Sequence, residues 1–349
     1  MRKISKTYSL NITEKKYTYK DFISNQEVKW CPGCGDYSIL KQMQTVLPEV
    51  GIAKENIVFV SGIGCSSRFP YYMDTFGLHG IHGRAPAIVT GIKLAKPELS
   101  VWIITGDGDA LSIGGNHTIH LFRRNLDVNV LLFNNEIYGL TKGQYSPTSG
   151  LGLKTKSSPL GTIDQPFNPL SLALGAQATF VARTIDKNPK HLREMLLKCH
   201  QHKGTSFLEI YQNCNIFNDG AFEVFSEKAN KSDTTIFLEN GKPLLFGIEL
   251  TKGIRLDGLQ PQVVSLEEKY SLEDIWIHDE KDCTKANILA RFFDTPGKSR
   301  FPRPFGILYT EDRPCYDVLF HQQLRQAKTN LDVPTLDELL AGPSTWVIS

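Results

Sequence analysis

The stretch "SVWIITGDGDALSIGGNHTIHLFRRNLDVNVLLFNNEIYGL" (Ser100–Leu140) decides the fold. It holds two unbroken apolar runs rich in β-branched residues, "SVWIITGDG" (Ser100–Gly108) and "VNVLLFNN" (Val128–Asn135). Runs of that length, without polar alternation, read as strands buried on both faces, as in parallel sheets. Between them "ALSIGGNHTIHLFRR" (Ala110–Arg124) is compatible with a helix. Strand, helix and strand in that order form a crossover that places two neighbouring strand ends side by side.

The residues at those two ends carry chemistry. Gly106, Asp107 and Gly108 let the backbone turn sharply and bring N–H groups close to an anion. The helix that follows adds a positive N-terminus. Asp107 supplies a carboxylate oxygen and Asn135 an amide oxygen. Oxygen ligands beside a pyrophosphate describe a Mg²⁺ or Ca²⁺ site. Taken singly, each motif is an ordinary turn. Joined at crossover spacing, with Gly139 close behind, they read as a phosphate and metal site.

Further strand-like runs lie on either side, "NIVFVSGIG" (Asn56–Gly64) and "SFLEIYQNC" (Ser206–Cys214), with a helical segment "PKHLREMLLKCHQH" (Pro189–His202) before the second. The alternation predicts an α/β doubly wound, mostly parallel sheet with helices on both faces. In such a sheet the strands' C-terminal ends share one edge, outside which ligands bind. Cys65, Asp107, Asn135 and Cys214 should therefore converge. The turn "CPGCG" (Cys31–Gly35) aims two more thiols at one point and is able to fold over that edge. Four thiolates suit zinc and an iron–sulfur cluster equally well. A zinc ribbon normally has a second C-x-x-C, which this chain lacks. Cys199, Cys283 and Cys315 are assigned no role.

Bulk properties narrow the class. The 349 residues are 41% hydrophobic and 22% charged, with a formal net charge of +2. Nothing resembles the basic stripe of a nucleic-acid binder. The first residues lack an apolar signal region, and no apolar run approaches the roughly 20 residues that span a bilayer. A soluble, cytoplasmic protein is expected. Seven cysteines without a secretion signal argue against a disulfide scaffold. Residues 1–30 read as a polar arm, 31–219 as the ligand-binding domain, and 220–349 as an extension that covers the core or contacts a partner. Within that extension "TTIFLENGKPLLFGI" (Thr234–Ile248) carries an Asn-Gly hairpin signal. "KSRFPRPFGILY" (Lys298–Tyr309) reads as extended and "YDVLFHQQLRQAK" (Tyr316–Lys328) as a helix.

"GDGDALSIGGNHTIHLFRRNLDVNVLLFNN" resembles the thiamine-diphosphate motif, which opens on Gly-Asp-Gly and closes on Asn. Together with "KWCPGCGDY", "GIGCSSRFPYYMDTFGLHGIHGRAPAIVTGIK" (Gly62–Lys93) and "NNEIYGLTKGQYSPTS", it resembles the β subunit of 2-oxoacid:ferredoxin oxidoreductases over about residues 25–220. The resemblance implies that Asp107, the Asn135 side chain and the Ile137 carbonyl hold Mg²⁺. It also implies that the backbone around Gly106, Gly108–Asp109 and Tyr138, Gly139, Leu140 and Thr141 cradles the pyrophosphate, with Ser66 among the cofactor contacts. Cys31, Cys34, Cys65 and Cys214 would bind a [4Fe–4S] cluster. The cofactor acts as an electron sink in decarboxylation, and a nearby cluster accepts the two electrons singly.

Arg68 is a candidate for the substrate carboxylate, because a guanidinium binds one in bidentate fashion. His82 is a candidate for proton handling. Arg68 after Ser-Ser looks like the 2-oxoglutarate-type members, which form succinyl-CoA and CO₂ from coenzyme A and pass electrons to ferredoxin. In this family an α subunit supplies the Glu that activates thiamine diphosphate, so an α₂β₂ assembly is expected. The rival expectations are a pyruvate or branched-chain oxoacid enzyme, a non-oxidative thiamine-diphosphate decarboxylase or synthase, and a zinc-stabilised subunit without catalytic activity.

Overall fold

The computed structural model describes residues 16–292, 301–330 and 334–346. The first half of residues 1–30 assigned to the N-terminal arm, through residue 15, lies outside the described residues, as does the start of the Lys298–Tyr309 run. The strands are β1 (Ile57–Ser61), β2 (Phe76–His79), β3 (Ser100–Gly106), β4 (Val128–Asn134), β5 (Ile137–Tyr138), β6 (Gln144–Tyr145), β7 (Phe180–Ile185), β8 (Thr205–Tyr211), β9 (Thr235–Phe237), β10 (Leu245–Phe246), β11 (Lys252–Asp257), β12 (Gln260–Ser265) and β13 (Arg303–Thr310). Eight form one sheet in the order β2-β1-β3-β4-β8-β7-β13-β9. Neighbours are parallel throughout, except that β13 runs antiparallel to β7.

The apolar runs serve two layers at once. In β3, Val101 and Ile103 join one buried cluster while Trp102 and Ile104 join the other. The first layer is covered by the helices α2 (Ala85–Ala95), α3 (Gly115–Arg124) and α4 (Pro169–Gly175), through residues such as Val89, Phe122 and Leu170. The second is covered by α1 (Asp36–Val50) and α5 (Pro189–Gln201), through Met43, Leu47, Met195 and Leu196. A side-chain period of two on strands packed on both faces produces this division. Asn168 and Asn188 cap α4 and α5 by accepting from the N–H groups of Ser171 and His191. The doubly wound, mostly parallel architecture is the one expected.

The expected hairpin over Thr234–Ile248 does not form. β9 pairs with β13 in the main sheet, while β10 pairs with β11, so the Asn240-Gly241 turn joins two different sheets. The Leu238 N–H already donates to the Phe305 carbonyl at 2.7 Å, and Pro243 has no N–H to offer a partner strand. The hairpin of this region lies instead between β11 and β12, around Asp257 and Gly258, where Gly258 takes φ +60°. Among the described residues no helix is long and apolar enough to cross a membrane.

Candidate active site

β1, β3, β4 and β8 are adjacent and parallel, so the residues after them meet at one edge of the sheet. Two cavities open there. One, of ≈ 360 Å³, is lined by Cys31, Cys34, Cys65, Cys214, Arg68 and Gln212, among others. The second, of ≈ 140 Å³, is lined by Gly106, Asp107, Gly108 and Asp109, with Ser66, His82 and the run from Ile137 to Thr141. Cys65, Asn135, Gly139 and Leu140 line both.

The thiol cavity is assembled by its scaffold. Gly35 donates its N–H to the Asn213 carbonyl at 3.1 Å, and Asn215 Nδ2 donates to the Pro32 carbonyl at 2.7 Å. The N-terminal Cys-Pro-Gly-Cys turn is thereby pinned to the segment after β8 that carries Cys214. A Cβ on Gly35 would lie 1.8 Å from Asp186 Oδ2, so only glycine fits that approach. Trp30 Nε1 donates to the Cys65 carbonyl at 2.6 Å, tying the same arm to the end of β1. Asn218 Nδ2 donates to the Asn135 carbonyl at 2.9 Å, which joins the Cys214 loop to β4. A Cβ on Gly139 would stand 3.5 Å from the Cys214 sulfur and 3.6 Å from that of Cys65.

All seven cysteines are unbridged. Burial, then the negative charge of Asp36, pushes the Cys34 thiol far above its ordinary range. Burial, then Asp36 and the neighbouring thiols, pushes Cys65 up to about 12, against a weaker opposing pull from Arg68. Thiols raised by burial, as Cys34 and Cys65 are, suit a cationic, thiophilic group that replaces their protons. Among the described residues, no three His, Cys, Asp or Glu side chains form a group that could hold a single metal ion. The thiols ring a cavity instead.

The second cavity is held by its own side chains. Asp107 is 3% exposed, and its Oδ2 accepts from Ser146 Oγ at 2.5 Å and from Thr148 Oγ1 at 2.6 Å. Burial raises its pKa, and those two hydroxyls oppose the rise. Asp109 also braces the turn. Its Oδ1 accepts from the N–H groups of Ile63 and Gly83, at 3.0 and 2.7 Å, and lies 2.6 Å from His82 Nδ1. Its Oδ2 accepts from Thr105. The turn continues into a one-turn π-helix, Asp109–Ile113, before α3, a local form frequent at functional sites. A Cβ on Gly108 would lie 2.0 Å from the Tyr138 ring, so the backbone there and the tyrosine share one space.

Asn135 Nδ2 donates to Gln212 Oε1 at 2.9 Å, and its Oδ1 accepts from the Ile137 N–H at 3.2 Å. Glu136 between them takes φ +56°, a left-handed conformation unusual for a non-glycine residue and often retained at functional positions. β5 and β6 then close a small hairpin with Gly139, Leu140 and Thr141 at its tip.

Every residue expected at the site thus lines one of the two cavities. Arg68 borders the thiol cavity, and His82 borders the phosphate-like one. Sequence reasoning missed Ser146 and Thr148, although "YSPTS" concentrates hydroxyls in a proline turn. It also missed Gln212, Trp30 and Asp186, whose roles depend on chain segments distant in sequence.

Residues 62–210 match the family described as "Thiamine pyrophosphate enzyme, C-terminal TPP binding domain". The chain is 48% identical to the 2-oxoglutarate oxidoreductase subunit KorB of Mycobacterium tuberculosis, over 99% of this chain and 92% of that relative. It belongs to the β subunits of 2-oxoacid:ferredoxin oxidoreductases. This β subunit is also 42% identical to the 2-oxoglutarate synthase subunit KorB of Archaeoglobus fulgidus, over 57% of its own length and 75% of that relative's. A solved 2-oxoglutarate:ferredoxin oxidoreductase from Magnetococcus marinus, with 2-oxoglutarate, coenzyme A and succinyl-CoA bound, superposes with a TM-score of 0.75 at 30% identity. The match covers 95% of the β subunit and 99% of that chain. The β subunit is therefore one part of an oxidoreductase complex with a TPP-binding domain.

Proposed function

We propose that this β subunit binds thiamine diphosphate with Mg²⁺ and one [4Fe–4S] cluster. With an α subunit, as α₂β₂ in the cytoplasm, it converts 2-oxoglutarate and coenzyme A to succinyl-CoA and CO₂ and passes the electrons to ferredoxin. The observation that carries this reading is the wall common to the two cavities, Cys65, Asn135, Gly139 and Leu140. It sets four thiols directly beside a glycine-lined anion pocket with a buried carboxylate.

Bound thiamine diphosphate supplies the electron sink for decarboxylating a 2-oxoacid, and a [4Fe–4S] cluster accepts electrons singly. Cys31, Cys34, Cys65 and Cys214 would hold the cluster. Asp107, the Asn135 side chain and the Ile137 carbonyl would hold Mg²⁺. The backbone of Gly108–Asp109 and Gly139–Thr141 would take the pyrophosphate, with Gly106, Ser66 and Tyr138 shaping the pocket. His82 has Nδ1 committed to Asp109, which leaves Nε2 as the ring nitrogen able to hold or pass a proton in the pocket. The Arg68 guanidinium makes no hydrogen bond or ion pair among the described residues and borders the cavity beside Cys65, where it would bind a substrate carboxylate.

Co-expression with an α subunit, anaerobic purification, and iron, sulfide and thiamine analysis test the proposal. Expected are iron and sulfide in a four-to-four ratio per β subunit, and ferredoxin reduction faster with 2-oxoglutarate than with pyruvate. Zinc in place of iron and sulfide would overturn the redox reading. Turnover by the β subunit alone would overturn the need for α.

A further inference from the structure

We infer that Ser146 and Thr148 are positioning residues that set which oxygen of Asp107 faces the metal. The inference rests on Asp107 as the Mg²⁺ ligand. Both hydroxyls converge on Oδ2, at 2.5 and 2.6 Å, and no side chain donates to Oδ1 among the described residues. A carboxylate held by two donors on one oxygen cannot rotate freely, so Oδ1 is the edge presented for a cation.

The two hydroxyls are themselves held. Ser146 and Thr148 are 2% and 4% exposed. Thr148 Oγ1 also lies 2.9 Å from Asn134 Oδ1. A hydroxyl has one proton, and the nearer oxygen takes it, so Thr148 donates to Asp107. Asn134 Oδ1 is then served by the Glu136 N–H at 3.2 Å. Asn134 cannot flip, because its Nδ2 donates to Glu209 Oε1 at 2.8 Å, and Glu209 Oε2 accepts from Arg183 Nε at 2.6 Å. Glu209 and Arg183 are fully buried on adjacent strands, β8 and β7. A rigid ion pair inside the sheet therefore fixes Asn134, and Asn134 walls in Thr148. On the other side, Ser149 Oγ accepts from the Ser146 N–H at 2.8 Å and donates to the Glu136 carbonyl at 2.5 Å, which fastens the hydroxyl loop to the Asn135–Ile137 segment.

The test is the Mg²⁺ concentration for half-maximal thiamine diphosphate binding, read by calorimetry on the purified αβ complex rather than by turnover. Thr148→Val and Ser146→Ala should each raise it about 10- to 100-fold, the usual range for residues that orient a metal ligand. Thr148→Ser should restore it, and saturating Mg²⁺ should return kcat in both variants. Asp107→Asn separates the two readings. If it binds Mg²⁺ and cofactor like the wild type, the assignment of Asp107 fails. If it loses binding while Thr148→Val and Ser146→Ala behave as wild type, the positioning role is overturned. Should Thr148→Val fail to fold, Ser146→Ala and Thr148→Ser decide alone.

Discussion

The two cavities at the sheet edge share a wall but are built on opposite plans. Around Asp107 and Asp109 the polar side chains satisfy one another, with at least four donors on Asp109 and two hydroxyls on Asp107. Around the thiols the scaffold is hydrogen-bonded, through Gly35, Asn215 and Trp30, while the sulfurs face a space that none of them fills. A self-satisfied pocket keeps its shape whether or not a ligand is present. A ring of thiols gains most of its stabilisation when a cationic group replaces their protons. On the proposed reading the first is a preformed cradle and the second a site that its ligand would complete.

The largest expected effect breaks the thiol side alone. Cys214→Ala should remove iron and sulfide and lower turnover at least ~1000-fold, roughly 4 kcal/mol of barrier, while thiamine diphosphate still binds. Loss of cofactor binding as well would show that the shared wall couples the two cavities. Arg68→Ala should raise KM for 2-oxoglutarate by about 1.5–3 kcal/mol, roughly 10- to 150-fold, and raise it much less for pyruvate. Equal effects on both substrates would remove Arg68 from substrate recognition.

Two glycines provide a matched pair. Gly35→Ala places a methyl against Asp186 and Gly108→Ala places one against Tyr138. Each overpacking should cost about 1–3 kcal/mol of stability. Gly35→Ala should lower iron content and spare cofactor binding, and Gly108→Ala should do the reverse. The smallest effect is in pH. In the cluster-free chain Cys65 has a folded-state pKa of about 12, above its ordinary 9.0. The unfolded chain therefore loses that proton first, and stability declines as pH rises from 9 towards 12. The melting temperature of the cluster-free chain should fall more steeply above pH 9 than that of Cys65→Ser. Reconstitution with iron and sulfide should be more complete at pH 8.5 than at pH 7.

Much of this site was legible before the fold. Parallel strands put Cys65, Asp107, Asn135 and Cys214 at one edge as a matter of topology, and glycine spacing marked the anion turn. Ser146 and Thr148 were not legible, because a hydroxyl in a loop has no periodicity and acquires a role only from what it touches. The hairpin expected at Asn240-Gly241 failed for a related reason. A turn signal specifies a reversal of direction, whereas the partner of each strand depends on which sheet edge is open, here β13 for Thr235–Phe237.

The sequence by itself determined the doubly wound sheet, the four thiols, the glycine turn after β3 and the family, since these depend on local periodicity and on the order of strand ends. Tertiary structure alone decided that Asp109 braces the turn, through donors on Ile63, Gly83, His82 and Thr105. It also decided that a buried Arg183–Glu209 pair lies behind Asn134 and, through Thr148, behind the Asp107 carboxylate. Those outcomes rest on contacts between segments far apart in the chain, whose distances follow only from how the layers pack.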